Sequence, residues 1–146
     1  MAEEKVQNLG NHTRVVPLYH MFAMPIFMIN LVWRLIQLKD GIAFASIMNV
    51  LLAAAFVILV IYARIFSLTV QDRVIRLEMR LRLERALPAD MRPRIGEFTV
   101  AQLVSLRFAA DQELPLLAQQ VLDEKLSDRK AIKSRIKNWQ ADFLRA

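Results

Sequence analysis

One run of the sequence constrains the fold more than any other. Residues 42–63, IAFASIMNVLLAAAFVILVIYA, are 22 residues long and carry no charge, and residues 15–38 carry only Arg34 in 24 residues. About 20 apolar residues in a helix are enough to cross the hydrocarbon core of a bilayer. The sequence therefore predicts two transmembrane helices. A buried helix of a soluble protein is the alternative for each run. A signal peptide is a further alternative for the first, although the start, MAEEK, lacks the basic residues typical of signal peptides.

The connection between the two runs is only three residues long, residues 39–41. So short a turn predicts an antiparallel hairpin. Reflection about the turn places Asn30 and Asn49 at equal depth, and because an unpaired amide is costly in hydrocarbon, we expect a hydrogen bond between them. The alternative is that each amide contacts a different neighbour. Ala45, Asn49 and Ala53 recur every four residues and form a small-residue face that favours close packing of helices.

Charge is concentrated in the rest of the chain. Residues 64–146 hold 16 of the 20 Lys and Arg residues and 11 of the 14 Asp and Glu residues. The segment directly after the second run is rich in arginine: Arg64, Arg73, Arg76, Arg80, Arg82 and Arg85. Basic residues flanking spans favour the cytoplasmic side. We therefore expect a multi-pass protein of the cytoplasmic membrane with the C-terminal part in the cytoplasm and, because there are two spans, the N-terminus as well.

Residues 64–87 continue the second run without a Gly or a Pro, which predicts that the second helix extends beyond the membrane as an arm. The arm has apolar residues on two sides. One side carries Val70, Val74, Leu77 and Leu81, and the other carries Ile75, Met79, Leu83 and Leu87. A helix with two apolar sides separated by charge needs two neighbours. The chain's own C-terminal helices are one candidate, and a second copy or another protein is the other. Coverage of both sides within the chain, or of one by the membrane surface, is the alternative.

Three short amphipathic helices are predicted after Pro88 and Pro93, within residues 88–146. Thr99 and Gln102 have the spacing of a capping box at the start of the first. The second begins at Asp111.

The last of these helices is expected from Ser127 to the C-terminus, with two opposite stripes. One stripe is apolar and predicts core contacts: Ile132, Ile136, Trp139 and Phe143. The other stripe is basic: Lys130, Lys133 and Lys137. A solvated surface is the simple interpretation of the lysines. Contact with anionic lipid headgroups or with nucleic acid phosphates is the functional alternative, and three short helices without a glycine turn disfavour DNA binding.

The sequence contains no recognisable catalytic pattern. The chain has no cysteine, no paired glycines for a phosphate-binding loop, and no histidine spacing typical of a zinc site. We therefore expect a non-enzymatic protein with no metal centre. His20, just inside the first run, is the one candidate cofactor ligand, because an imidazole at the end of a membrane helix can bind a haem or chlorophyll metal. Simple hydrogen bonding of His20 is the alternative.

Several segments resemble an uncharacterised bacterial family of small membrane proteins. The resemblance rests on NHTR at 11–14, the two apolar runs, VQDRVIRLEMRLRL, LVSLRFAADQELP and LSDRKAIKSRIKNWQADFLR, and covers nearly the whole chain. It implies two spans followed by a helical cytosolic part. It implies no activity and no functional residue.

The fold expected from the sequence is thus an all-α membrane protein with four segments: residues 1–14, a transmembrane hairpin at 15–63, an arm at 64–87, and a helical bundle at 88–146. Such a chain is suited to be an accessory or scaffold subunit of a larger membrane complex, for example a respiratory or photosynthetic one, or to form a homo-oligomer. The alternative is a membrane-tethered binding module that uses the lysine stripe.

Overall fold

The computed structural model describes residues 7–11 and 15–143, and within these ranges it is helical, with one isolated bridge between Ala109 and Trp139. The prediction of an all-α fold is confirmed. The chain divides into two compact units. We call Arg14–Leu68 the apolar unit, and Met1–Thr13 together with Thr69–Ala146 the helical unit.

The apolar unit is built from two helical stretches. The first consists of a π-helix, Leu18–Ala23, followed by α1, Met24–Gln37, and a short 3₁₀ turn, Leu38–Asp40. The second is the N-terminal part of α2, Phe44–Ala86. Both stretches are long and apolar enough to cross a membrane, and their most apolar 18-residue windows are only 0% and 6% buried. Neither is therefore the buried core helix of a soluble domain.

Contacts between α1 and α2 correct one prediction. Phe27 stacks on Phe56 with ring centroids 5.4 Å apart, and Ala53 is 2% exposed. Among the described residues, no hydrogen bond joins Asn30 to Asn49; Asn30 is half-buried and Asn49 is exposed. Ala45 is exposed as well, so only Ala53 of the predicted small-residue face is buried.

The helical unit packs the C-terminal part of α2 against three short helices: α3, Val100–Leu106; α4, Leu114–Asp123; and α5, Arg129–Ser134. A 3₁₀ turn, Arg92–Glu97, precedes α3. The predicted capping box at α3 is confirmed, since the Thr99 side chain accepts from the Gln102 N–H and the Gln102 side chain accepts from the Thr99 N–H. The centre of the core is fully buried: Leu83, Leu103, Leu106, Leu114, Val121 and Ile132.

Helix α5 is shorter than the sequence predicts. Its N-cap is Asp128 and not Ser127, and it ends at Ser134. The Glu113 carboxylate accepts hydrogen bonds from the backbone N–H groups of residues 137 and 138, each at 3.1 Å, which draws the chain out of the helix. Trp139 then stacks on Phe108 at 4.6 Å. Ile132 is fully buried in the core and Ile136 packs against it, whereas Trp139 is half-buried and Phe143 is 57% exposed.

Candidate interaction site

The arm exposes one of its two apolar sides and buries the other. The buried side, which we call the inner face, is at most 5% exposed and consists of Ile75, Met79, Leu83 and Leu87. The opposite side, the outer face, is 48–62% exposed and consists of Val70, Val74, Leu77 and Leu81. Of the seven arm residues predicted to meet a partner, Ile75, Met79 and Leu83 therefore belong to the core of the helical unit. Only the outer face is available to another molecule.

Arg82 fixes the arm against the rest of the helical unit. Its Nη1 donates to the Arg107 carbonyl at 3.0 Å, and its Nη2 donates to the Ala109 carbonyl at 2.6 Å and to Gln140 Oε1 at 2.7 Å. Its Nε lies 2.6 Å from the Asp111 carboxylate. The carbonyls that follow the end of α3 have no partner within that helix, and a guanidinium provides the several donors that such a cluster needs.

The sequence does not predict that Arg82 donates to these acceptors. In the periodicity of the arm, Arg82 is simply one of the charged residues between the two apolar sides. The four acceptors lie 25 to 58 residues away along the chain. Only the folded arrangement brings them to one side chain.

Basic side chains lie along one flank of the outer face. A shallow groove of about 480 Å³ runs along the arm and is lined by Val70, Val74, Leu77 and three arginines, Arg73, Arg76 and Arg80. None of these arginines forms an ion pair with another described residue. The other flank carries the exposed side chains of Glu78 and Arg85. The arrangement is chemically suited to bind an apolar helix rather than to react with a small molecule.

The lysine stripe predicted on the last helix is not one helix face. Lys130 is exposed on α5, but Lys133 is half-buried with its Nζ 5.1 Å from the centre of the Phe108 ring. Lys137 is exposed but follows the end of α5. The three ammonium groups therefore do not share the regular spacing on which the prediction of a basic binding surface depends.

His20 lies in the π-helix of the apolar unit. Its Nδ1 is 3.1 Å from both the N and the O of Val16, and its ring meets the Tyr19 ring edge-on at 4.9 Å. Within residues 7–11 and 15–143, no group of three His, Cys, Asp or Glu residues could hold a metal ion. A haem or chlorophyll needs only one such ligand, so the assignment of His20 stays a prediction.

The N-terminal segment before the first apolar run belongs to the helical unit. The side-chain amide of Gln7 donates to the Asp142 carbonyl at 3.1 Å and accepts from the Asp142 N–H at 2.8 Å. Gln7 is 6% exposed. Sequence reasoning missed this contact, which joins residues 135 positions apart.

Ion pairs lie on the surface of the helical unit. Arg135 donates to both carboxylate oxygens of Glu124, at 2.6 and 2.7 Å, and these bonds hold the pKa of Glu124 below its ordinary value. Hydrogen bonds to Asp123 and then Glu97 raise the pKa of Arg94. These pairs join the short helices to one another.

Comparison with known families matches residues 1–146 to one family model, described as a family of unknown function (DUF6526). The chain belongs to this family. The match covers all segments on which the resemblance was based. No curated protein and no solved structure matches the sequence.

Proposed function

We propose that this member of the DUF6526 family is a non-enzymatic, membrane-anchored subunit that helps to hold a protein assembly together through helix contacts. The observation that carries the proposal is the outer face. An apolar stripe exposed along a helix that is otherwise well packed is typical of an interaction surface. Its position opposite the inner face leaves it accessible while the helical unit remains folded.

The membrane anchor is supported by two features of the apolar unit. Its two long helical stretches leave their apolar side chains uncovered, which a bilayer would cover. Phe27 contacts Phe56, and the Tyr19 hydroxyl donates to the Val60 carbonyl, so earlier residues of the first stretch meet later residues of the second. This order of contacts supports an antiparallel transmembrane hairpin.

The placement of both termini on one side of the membrane is supported by Gln7. Because residue 7 precedes the first span and Asp142 follows the second, a hydrogen bond between them requires an even number of crossings. The arginines after the second span favour the cytoplasmic side. We therefore propose a cytoplasmic-membrane protein whose helical unit lies in the cytoplasm.

The alternative of a lipid- or nucleic-acid-binding module is less well supported, because Lys133 packs on Phe108 and α5 is only six residues long. Phosphate contacts by Lys130 and Lys137 alone would be few, and binding to phosphates weakens steeply with added salt.

The test is the native size of the assembly. The full chain, tagged after Ala146, would be extracted from its native membrane in a mild detergent, and the mass of the complex and its subunits measured. We expect a complex larger than the 16.9 kDa chain, and we expect Leu77→Asp to reduce its size. Leu116→Asp is the matched control, because Leu116 is 63% exposed and Leu77 is 62% exposed, but Leu116 lies on α4. A wild-type protein that runs as a single chain, or a Leu77→Asp variant of unchanged size, would contradict the proposal.

A further inference from the structure

The spacing of the outer face identifies a kind of partner. Val70, Val74, Leu77 and Leu81 are separated by four, three and four residues, which is the spacing of the a and d positions of a coiled coil. Val74 and Leu81 then occupy a positions, and Val70 and Leu77 occupy d positions. The central pair, Val at a and Leu at d, favours two strands, whereas the outer pair, with Val at d and Leu at a, does not. We infer, on the basis of the function proposed above, that the occupant of the outer face is a second copy of this chain, packed parallel to the first as a short two-stranded coiled coil.

The parallel direction follows from the membrane anchor. Two copies inserted in the same membrane with the same orientation extend their arms on the same side and in the same direction. In a parallel pair, each g position lies beside the e position five residues further along the other helix. Arg73 is a g position and Glu78 an e position, so Arg73 of each copy meets Glu78 of the other. This one pair of charges is thus complementary between two copies that run in the same direction.

One further pair of charges opposes the dimer. Arg80 is the next g position and would lie beside Arg85 of the second copy. Like charges at this distance cost about as much as the exposed pair of Arg73 and Glu78 contributes. The two charge pairs therefore offset each other, and the four apolar side chains provide the attraction.

A seam of four apolar positions is short for an independent coiled coil, but two properties of this chain reduce the cost of pairing. The arm is already held as a helix by the inner face and by the Arg82 hydrogen bonds, so little conformational freedom is lost on association. Confinement to one membrane also raises the effective concentration of the second copy. The inner face and the short helices lie on the opposite side of the arm and leave the outer face open.

Because the chain has no cysteine, disulfide formation between single introduced cysteines tests the dimer directly. In native membranes under mild oxidation, Val74→Cys and Leu77→Cys should form covalent dimers in high yield, since a and d positions of parallel helices face their own counterparts. Arg76→Cys, exposed on the flank of the same arm, reports random collision. Yields at Val74→Cys and Leu77→Cys no higher than at Arg76→Cys would overturn the inference.

Failure of the dimer can be distinguished from failure of the proposed function. If no dimer forms but Leu77→Asp still reduces the size of the native complex, a different protein occupies the outer face and the interaction role stands. If Leu77→Asp leaves that size unchanged, both proposals fall.

A charge exchange tests the alignment. In the Leu77→Cys background, Arg73→Glu and Glu78→Arg should each lower the dimer yield, by about fivefold, because each places like charges together. The double variant Arg73→Glu/Glu78→Arg restores opposite charges across the dimer and should restore the yield. Rescue supports a parallel pair of identical chains, and a double variant no better than the single ones would overturn that alignment.

Discussion

The two units of this protein differ in what covers their apolar side chains. Among the described residues, 19 hydrophobic side chains are buried, and 18 of them belong to the helical unit. Within residues 15–68 of the apolar unit, Ala53 is the one buried side chain. The helical unit therefore makes its own core, whereas the apolar unit depends on its surroundings to cover it. A single chain thus combines a part that buries its apolar side chains against itself with a part that leaves them exposed.

The outer face belongs to the helical unit in sequence but resembles the apolar unit in exposure. Its four side chains are about as exposed as Leu59, which is 63% exposed in the apolar unit. The inner face, on the same helix, is buried. Buried and exposed apolar surface therefore lie on opposite sides of the same part of α2.

The largest effect is expected from Leu83→Ala. Leu83 is fully buried in the helical unit, and truncation of such a leucine leaves a cavity that lowers the free energy of unfolding by about 2–5 kcal/mol. Urea unfolding in detergent, followed by the fluorescence of Trp139 in a Trp33→Phe background, would measure it. Leu116→Ala, at an exposed position, should change the same free energy by less than about 0.5 kcal/mol. Equal effects at the two positions would show that the helical unit has no core of its own.

A somewhat smaller effect is expected from Arg82→Met. The variant keeps much of the side-chain volume but leaves the carbonyls of Arg107 and Ala109 without their donor, which should lower the free energy of unfolding by about 2–3 kcal/mol. Arg82→Lys should recover only part of this loss, because an ammonium group cannot reproduce the planar array of donors. The same unfolding experiment measures both. If Arg82→Lys fully recovered the free energy of unfolding, the positive charge of Arg82, and not its planar array of donors, would stabilise the arm.

The next effect is expected in the apolar unit, from Ala53→Leu. Extra volume at the one buried residue of that unit should force α1 and α2 apart and destabilise their contact by about 1–3 kcal/mol. Unfolding in mixed micelles with increasing dodecyl sulfate, followed by Trp33 fluorescence in a Trp139→Phe background, would detect it. Ala45→Leu, at an exposed position of the same helix, is the control and should have little effect. If both variants behave alike, the contact at Ala53 does not hold the unit together.

The smallest effect is expected in how the melting temperature changes at acid pH. Hydrogen bonds from Arg135 lower the pKa of Glu124 in the folded protein below its ordinary value of 4.5. A lowered pKa contributes stability above that ordinary value, and the contribution is lost as the pH falls through the folded-state pKa. Melting temperatures measured between about pH 6 and about pH 3 should therefore fall more steeply for the wild type than for Glu124→Gln. Parallel curves would indicate that this exposed pair contributes nothing to the acid response.

Much of the architecture could be predicted from local patterns. The lengths of the apolar runs indicate the two long helical stretches, and Thr99 and Gln102 mark the start of α3. Periodicity also identifies two apolar sides of the arm, but not which one is buried, because both sides carry residues of similar hydrophobicity. That choice depends on the packing of α3, α4 and α5.

The predictions that failed depend on contacts between distant residues. The end of α5 depends on Glu113, more than 20 residues earlier. Arg82 gains its role only where the carbonyls after α3 come together. Neither hydrophobic spacing nor local propensity contains this information.

The two tryptophans, one in each unit, test directly the proposal that the apolar unit lies in a bilayer and the helical unit in water. Single-tryptophan variants, Trp139→Phe to observe Trp33 and Trp33→Phe to observe Trp139, would be placed in vesicles of ordinary lipid and of lipid with brominated acyl chains, which quench only fluorophores within the bilayer. We predict strong quenching of Trp33, which is 57% exposed in the apolar unit, and none of Trp139. Equal quenching of the two, or an unquenched Trp33, would contradict the account.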